Sequence, residues 1–282
     1  MAKQTQINAP EPWRESIKQY LSYLRAASQS DDTRTTRRCQ LSKLARDLGG
    51  DPMTVSATEL LHWYADQDWR EETRKSARAA IRKYFEWLQT HQGRPDNPAD
   101  GLPSIRAPKP HPRPCPEEYI TAAKARANDV DRLMIRLMAE VGLRRQEVCR
   151  IHSNDVIDPP ASSDGIDHMP RLVVHGKGSK QRILPIPHDL ADRIRESDGY
   201  LFPGRFGGHA SPSYIGKHVS RLLPDGWSGH KLRTRWATRG YEATHDIYLV
   251  SAGLGHASIE TTMAYVPMPD SRLEELVAAA AR

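Results

Sequence analysis

Apolar residues recur at three- and four-residue intervals over most of this chain, the period of helices with one buried face. Residues 10 to 90 read as four helices. Trp13, Ile17, Tyr20, Leu21 and Leu24 mark the first, and Leu41, Leu44 and Leu48 mark the second. Ser56 followed by Glu59 is a capping-box start for the third, which carries Leu60, Leu61 and Tyr64. The fourth has an apolar face of Ala77, Ile81, Tyr84, Phe85 and Leu88, and a separate basic stripe of Arg74, Arg78 and Arg82 with Lys75 beside it. From Pro95 to Pro116 eight prolines interrupt any helix and predict an extended linker, with Arg106, Lys109 and Arg113 among them. Beyond Glu117 the helical pattern returns, with Leu133, Met134, Leu137 and Met138 as a buried stripe. Two β-prone runs, 171–175 and 181–186, flank Gly-Lys-Gly-Ser-Lys and read as a hairpin with Lys177 at its turn. The expected fold is mainly α with a small β-hairpin or sheet: a helical domain over 10–94, a linker over 95–116, and a mixed, mostly α domain over 117–282.

Composition sharpens this picture without deciding it. At 282 residues and 38% hydrophobic content the chain can fill two modest cores. The excess of 41 Lys+Arg over 35 Asp+Glu favours a polyanionic partner, although +6 also suits many proteins without one. Cys39, Cys115 and Cys149 are odd in number and lack C-x-x-C spacing, which points away from a disulfide framework or zinc site and toward a reduced cytoplasm. The first residues lack the apolar run of a signal peptide, and no stretch approaches the length of a membrane span.

Six side chains carry the candidate chemistry: Arg144, Lys177, His230, Arg233, His256 and Tyr265. Together they offer an oxygen nucleophile, two guanidinium forks, an ammonium and two imidazoles. That set suits attack on a phosphodiester without metal or cofactor. The surrounding words are more specific than the residues. Gly142-Leu143-Arg144-Arg145-Gln146-Glu147-Val148, Gly176-Lys177-Gly178-Ser179-Lys180-Gln181-Arg182, His230-Lys231-Leu232-Arg233 and the run from Leu254-Gly255-His256 to Tyr265 resemble, in order and spacing, the signature boxes of the tyrosine recombinases, the phage integrase family. The resemblance is tight over about 117–266 and loose over 10–105. One departure is Thr234, where many members carry a second histidine.

The resemblance implies a helical core-binding domain joined to a catalytic domain of tyrosine recombinase type, and it assigns roles. Tyr265 would be the nucleophile. Its phenol has a reference pKa near 10, so a neighbouring base or the arginine field must draw off the proton, and His230 is the better candidate for that base. Arg144 and Arg233 would offer donor forks to the non-bridging oxygens as their charge grows. Lys177 would protonate the departing 5′ oxygen, with Lys180 as rival. His256 would hydrogen-bond the scissile phosphate rather than hold metal, since no metal-ligand spacing occurs among the histidines. Glu147 either braces the arginines and His230 or is a plain surface carboxylate.

A 3′-phosphotyrosine conserves the energy of the broken bond, so a second 5′ hydroxyl can reseal it. Site-specific recombination of double-stranded DNA follows as the expected function: four protomers on paired core sites, with a Holliday junction between two rounds of strand exchange. The helical pattern begins by about residue 11, so a compact phage or prophage integrase without a separate arm-binding domain is expected, acting in a bacterial host's cytoplasm with an accessory directionality factor. An Xer-like or transposon-borne resolvase is the alternative, and a type IB topoisomerase-like relaxing enzyme a more distant one. Ser271 and Glu274 open another helix in the tail, placed to dock on a neighbouring protomer or on its own domain.

Overall fold

The structure is a computed structural model that describes residues 6–105, 113–159, 168–176, 180–256 and 262–263. The chain divides into two units, Met1–Pro108 and Lys109–Arg282.

In the first unit four helices, α1 (Trp13–Ala26), α2 (Asp31–Leu48), α3 (Ala57–Ala65) and α4 (Glu71–His91), turn their apolar stripes onto one core. Trp13, Tyr20, Leu41, Leu44, Leu60, Tyr84 and Phe85 are fully buried there. Burial on this scale, at roughly 25 cal/mol per Å² of apolar surface, drives the assembly. The polar ends of the aromatic rings are satisfied: Trp13 Nε1 donates to Gly49 O at 2.8 Å, and the Ser16 and Tyr84 hydroxyls pair at 2.6 Å. The Ser56–Glu59 capping box forms in both directions at the start of α3.

Two expectations for this unit change. Residues 95–105 do not leave as an extended strand. A turn at Asn97–Asp100 tucks Ala99 and Leu102 into the core, so residues 95–105 of the proline-rich stretch belong to the first unit, whereas 113–116 belong to the second. Just before this turn Arg94 is buried: it donates to Pro52 O and Val55 O at 2.5 Å, pairs with Asp96 at 3.2 Å and stacks over Phe85. The basic stripe of α4, moreover, does not stand clear of the unit. Arg74 donates to Tyr64 O at 2.8 Å and to Gln67 O, satisfying carbonyls at the end of α3, while Arg78 Nε donates to Leu102 O at 2.9 Å. Arg82 pairs with Asp100 at 2.8 Å but stays exposed, as does Lys75.

The second unit packs α5 (Glu117–Arg126), α6 (Asp129–Ala139), the short α7 (Arg145–Val148), α8 (His188–Arg195), α9 (Pro212–Ser220), α10 (Gly229–Thr244) and α11 (Ile247–Leu254) around a small antiparallel sheet. The sheet runs β1 (Val156–Ile157), β2 (Arg171–His175), β3 (Gln181–Pro185) in that spatial order, one short strand more than the expected hairpin. Its register opposes Leu172 to Leu184 and Val174 to Arg182. Side chains alternate across a strand, so Leu172, Val174 and Leu184 join Met134, Leu137 and Met138 in the core, and Arg182 projects to that same inner side. The sheet thereby aims one cation inward.

Replacing Arg94 by Met would keep apolar bulk but leave the carbonyls of Pro52 and Val55 without their donor. Buried acceptors stripped of a partner cost of the order of 1–3 kcal/mol each. The first unit should lose about 2–3 kcal/mol of stability in a denaturant melt of Arg94→Met, and a melt unchanged from wild type would refute this account.

Candidate active site

The site is built around Glu147, the third residue of α7 and only 3% exposed. Its Oε2 accepts the backbone N–H of Arg144 at 2.8 Å, the reciprocal half of a helix start that fixes both residues. Its Oε1 accepts from Arg144 at 2.8 Å. Arg182, reaching inward from β3, grips both oxygens at 2.8 and 2.9 Å in a bidentate pair. Arg233, on the second turn of α10, lies 3.6 Å from Oε2. Burial alone would raise this carboxyl's pKa. The hydrogen bonds from Arg182 and the Arg144 N–H, with the charges of Arg182 and Arg233, prevail and bring it down to about 2.

The same guanidinium groups fasten the end of α11. Arg182 Nε donates to Gly253 O at 2.9 Å, Arg144 to Leu254 O at 3.1 Å, and Arg233 to Leu254 O at 2.5 Å and to Gly142 O. A helix C-terminus leaves its last carbonyls without partners and carries partial negative charge, so it suits cations. Gly255, at φ +61°, ends α11 and turns the chain toward His256; a side chain there would also meet Arg182.

His256 contacts Thr262 Oγ1 through Nδ1 at 2.8 Å and faces Arg233 through Nε2 at 3.4 Å. Arginine can only donate, so Nε2 is the acceptor and Nδ1 carries the proton. Burial lowers this histidine to about 4, with the charges of Arg233, Arg144 and Arg182 adding to the effect. His230, on the first turn of α10, is also held below the usual histidine range by burial and by Lys231, Arg233 and Arg144. Both rings are neutral at pH 7. Thr234 is buried and donates to His230 O at 3.0 Å, so it is absorbed by its own helix.

Two openings flank Arg144. A cleft of 640 Å³ is lined by Arg144, His230, Arg233, Ser213, Lys217 and Ser220, and a recess of 390 Å³ by Arg144, Arg182, His256, His175, Arg150 and Lys180. The structure thus brings together Arg144, Glu147, His230, Arg233 and His256, which lie up to 112 positions apart in sequence (256 − 144). Lys177 and Tyr265 lie outside the described residues, as do Arg106, Lys109 and the tail helix; the rival Lys180 is described and lines the recess. Arg113 stacks over the Trp227 ring at 4.6 Å. Arg182 was not among the expected site residues. Its signal lay in the strand alternation, where a cation shares the inward register of Leu184 and therefore requires a buried anion.

Comparison with known proteins now decides the family. The sequence model of the phage integrase family matches residues 117–272, more than half of the chain. The chain belongs to the phage integrase family. Tyrosine recombinase XerC of Actinobacillus succinogenes is 30% identical over 218 residues, covering 70% of this chain and 71% of that protein. XerC of Chromobacterium violaceum is 25% identical over 287 residues, 93% of each. Among solved structures, a lambda integrase dimer bound to a COC′ core site superposes with a TM-score of 0.69 at 18% identity, covering 89% of this chain and 76% of that one. XerH bound to its difH substrate superposes at 0.68 and 18%, covering 93% and 83%. At these identities the likeness is one of fold. As a member of the family the chain is a DNA breaking and rejoining enzyme of the tyrosine recombinase type. Among the described residues no cluster of His, Cys, Asp or Glu is placed to hold a metal ion, and no helix is long and apolar enough to cross a membrane.

Glu147→Gln should be costly because it leaves Arg144, Arg182 and Arg233 buried against a neutral amide; breaking one side of such a network costs about 3–5 kcal/mol. The sign with pH follows from the lowered pKa. Wild-type stabilisation from this carboxylate is fully present above the unfolded value of 4.5 and is lost as pH falls toward 2, a span worth about 3 kcal/mol. Chemical denaturation across that range should show the Glu147→Gln protein weaker at neutral pH and converging on wild type in acid.

Proposed function

We propose that this chain catalyses site-specific recombination between double-stranded DNA sites as a phage or prophage integrase, with Tyr265 as nucleophile and a 3′-phosphotyrosine intermediate. The observation that carries this reading is the convergence of Arg144, Arg182 and Arg233 on a single buried carboxylate between two openings that share Arg144. Three fixed cations against one anion leave a net charge of +2, matched to a phosphodiester that gains negative charge as it becomes pentacoordinate.

The geometry supports a role for each described residue of the site. Arg144 keeps guanidinium nitrogens that meet no hydrogen-bond partner among the described residues, and its side chain lines both openings. Arg233 supplies the second fork. His230, neutral and on the cleft wall, accepts the phenolic proton. His256 is an acceptor toward Arg233 in the empty site, so its donation to phosphate depends on a proton taken up as the anion arrives. Lys177 protonates the leaving 5′ oxygen, with Lys180 as competitor.

Lambda integrase has been solved as a tetramer on a Holliday junction. The same assembly is proposed for this chain on two duplexes, in the cytoplasm of a bacterial host, with an accessory directionality factor. A second reading, an Xer-like resolvase, is favoured by the XerC relative of Chromobacterium violaceum, which spans 93% of the chain. Recombination between an attachment-site pair found beside the gene supports the integrase; activity only on direct repeats in one replicon supports the resolvase.

Tyr265→Phe should bind core-site DNA while forming no covalent adduct on a nicked suicide duplex. Arg144→Ala and Arg233→Ala should each lose at least about 10²–10³-fold in adduct formation. Lys177→Ala should recover on a substrate with sulfur at the leaving 5′ position, which departs without protonation; recovery of Lys180→Ala instead reassigns the proton donor.

For the first unit, the cations that remain exposed are the ones proposed to meet DNA phosphates. Lys75→Ala and Arg82→Ala should each lower the salt slope of DNA binding by about 0.9 while leaving the melt unchanged. Arg74→Ala should do the reverse, because its guanidinium serves the backbone of α3. Equal slopes for all variants would leave the stripe with no role on DNA.

A further inference from the structure

We infer that Trp236 is a positioning residue whose indole sets the spacing between the segment carrying Arg144 and the end of α11 carrying His256. Trp236 lies one turn after Arg233 on α10, against Ala237, Val250 and Leu254. Arg233 draws two backbone segments together from one side, donating to Gly142 O and to Leu254 O. The indole holds them apart from the other. A Cβ placed on Gly142 would fall 2.7 Å from the indole Cδ2, and one on Gly253 would fall 2.6 Å from Cη2. The two backbones therefore touch opposite ends of one rigid ring with no room for a methyl group between.

The two glycines are informative in different ways. Gly142 has φ +72°, so its backbone calls for glycine with or without the tryptophan. Gly253 sits inside α11 with no left-handed φ, where alanine is the better helix former. No local backbone requirement explains a glycine there. The indole does, because it claims the space a side chain would occupy. Gly253 O is also the acceptor of Arg182 Nε, and Leu254 O that of Arg144 and Arg233, so a shift of this helix end moves three guanidinium groups together.

This inference rests on the reading of Arg144, Arg233 and His256 as the groups that hold the scissile phosphate. It requires that a change in the spacing slow the chemical step while DNA affinity stays, since misplacement of about 1 Å costs up to roughly 10²-fold in rate.

The test is a size swap in the full chain, read by single-turnover adduct formation on a suicide duplex, by DNA affinity and by thermal melting. Gly253→Ala should slow adduct formation by about tenfold or more with affinity within about twofold of wild type. Trp236→Phe removes part of the ring, keeps an aromatic core residue, and should slow adduct formation less, with melting close to wild type. The double variant Gly253→Ala/Trp236→Phe should recover at least about fivefold over Gly253→Ala alone, because the shortened ring admits the methyl and alanine favours the helix. If Gly253→Ala fails to fold, recovery of folding in the double variant supports the same steric conflict. Multiplying losses in the double variant, or wild-type rates for Trp236→Phe, overturn the inference. An Arg144→Ala protein that forms adduct at the wild-type rate instead overturns the reading of the site on which it rests.

Discussion

The buried carboxylate of Glu147 is the constraint on which the second unit's cleft depends. Three guanidinium groups brought within a few ångströms of each other repel, and taking each from water carries a desolvation cost. One anion with four hydrogen bonds at 2.8–2.9 Å, three of them from Arg144 and Arg182 side chains and one from the Arg144 N–H, offsets enough of both to hold the cluster together before any DNA arrives. The bidentate Arg182 is the partner that suits this task. Its side chain is 13% exposed and its nitrogens are spent on Glu147 and Gly253 O, so it serves as scaffold, whereas Arg144 at 39% keeps a face toward the cleft. Arg233, 3% exposed and bonded to Gly142 O and Leu254 O, is held as firmly as Arg182, so Arg144 is the member of the cluster with a face left open.

The second anchor is a helix end. Gly253 O and Leu254 O belong to the last turn of α11, where carbonyls lack intrahelical donors, and the three arginines supply them. This couples the end of α11 to the Arg144 segment, and it places His256 just past the Gly255 cap. The coupling explains why a run of sequence as short as Leu-Gly-His is informative: Leu254 is buried, Gly255 takes the left-handed turn, and His256 lands beside Arg233.

Much of this was legible in the sequence, for physical reasons that differ by element. The four helices of the first unit and the strands flanking Lys177 follow from apolar periodicity, which is strong wherever one face is buried. Arg144, Arg233 and His256 were legible because the words around them resemble the family's signature boxes in order and spacing. Three things were not. The destination of Arg74 and Arg78 depends on carbonyls of Tyr64, Gln67 and Leu102, contacts between elements that no helical wheel displays. The return of Ala99 and Leu102 to the core goes with bonds from Arg78 to Leu102 O, from Arg82 to Asp100 and from Asn97 to Arg82 O, which periodicity does not display. Arg182 shares the alternation of Leu184, a signal in the sequence, but its buried partner Glu147 lies 35 positions away and only the fold supplies it.

The same field that fixes the arginines also determines what the histidines can do. A cluster with surplus positive charge keeps nearby imidazoles deprotonated, and burial of His230 and His256 acts in the same direction. This makes both rings proton acceptors. A bound phosphodiester adds negative charge close to Arg144 and Arg233, which weakens the field and makes protonation easier, and the pentacoordinate state adds more. The acid-base character of the site is therefore tied to its occupancy: a neutral imidazole is ready to take a phenolic proton when DNA docks, and the imidazolium so formed gains stability as charge accumulates on the phosphate. The arginines thus bind the substrate and also set the order in which protons move.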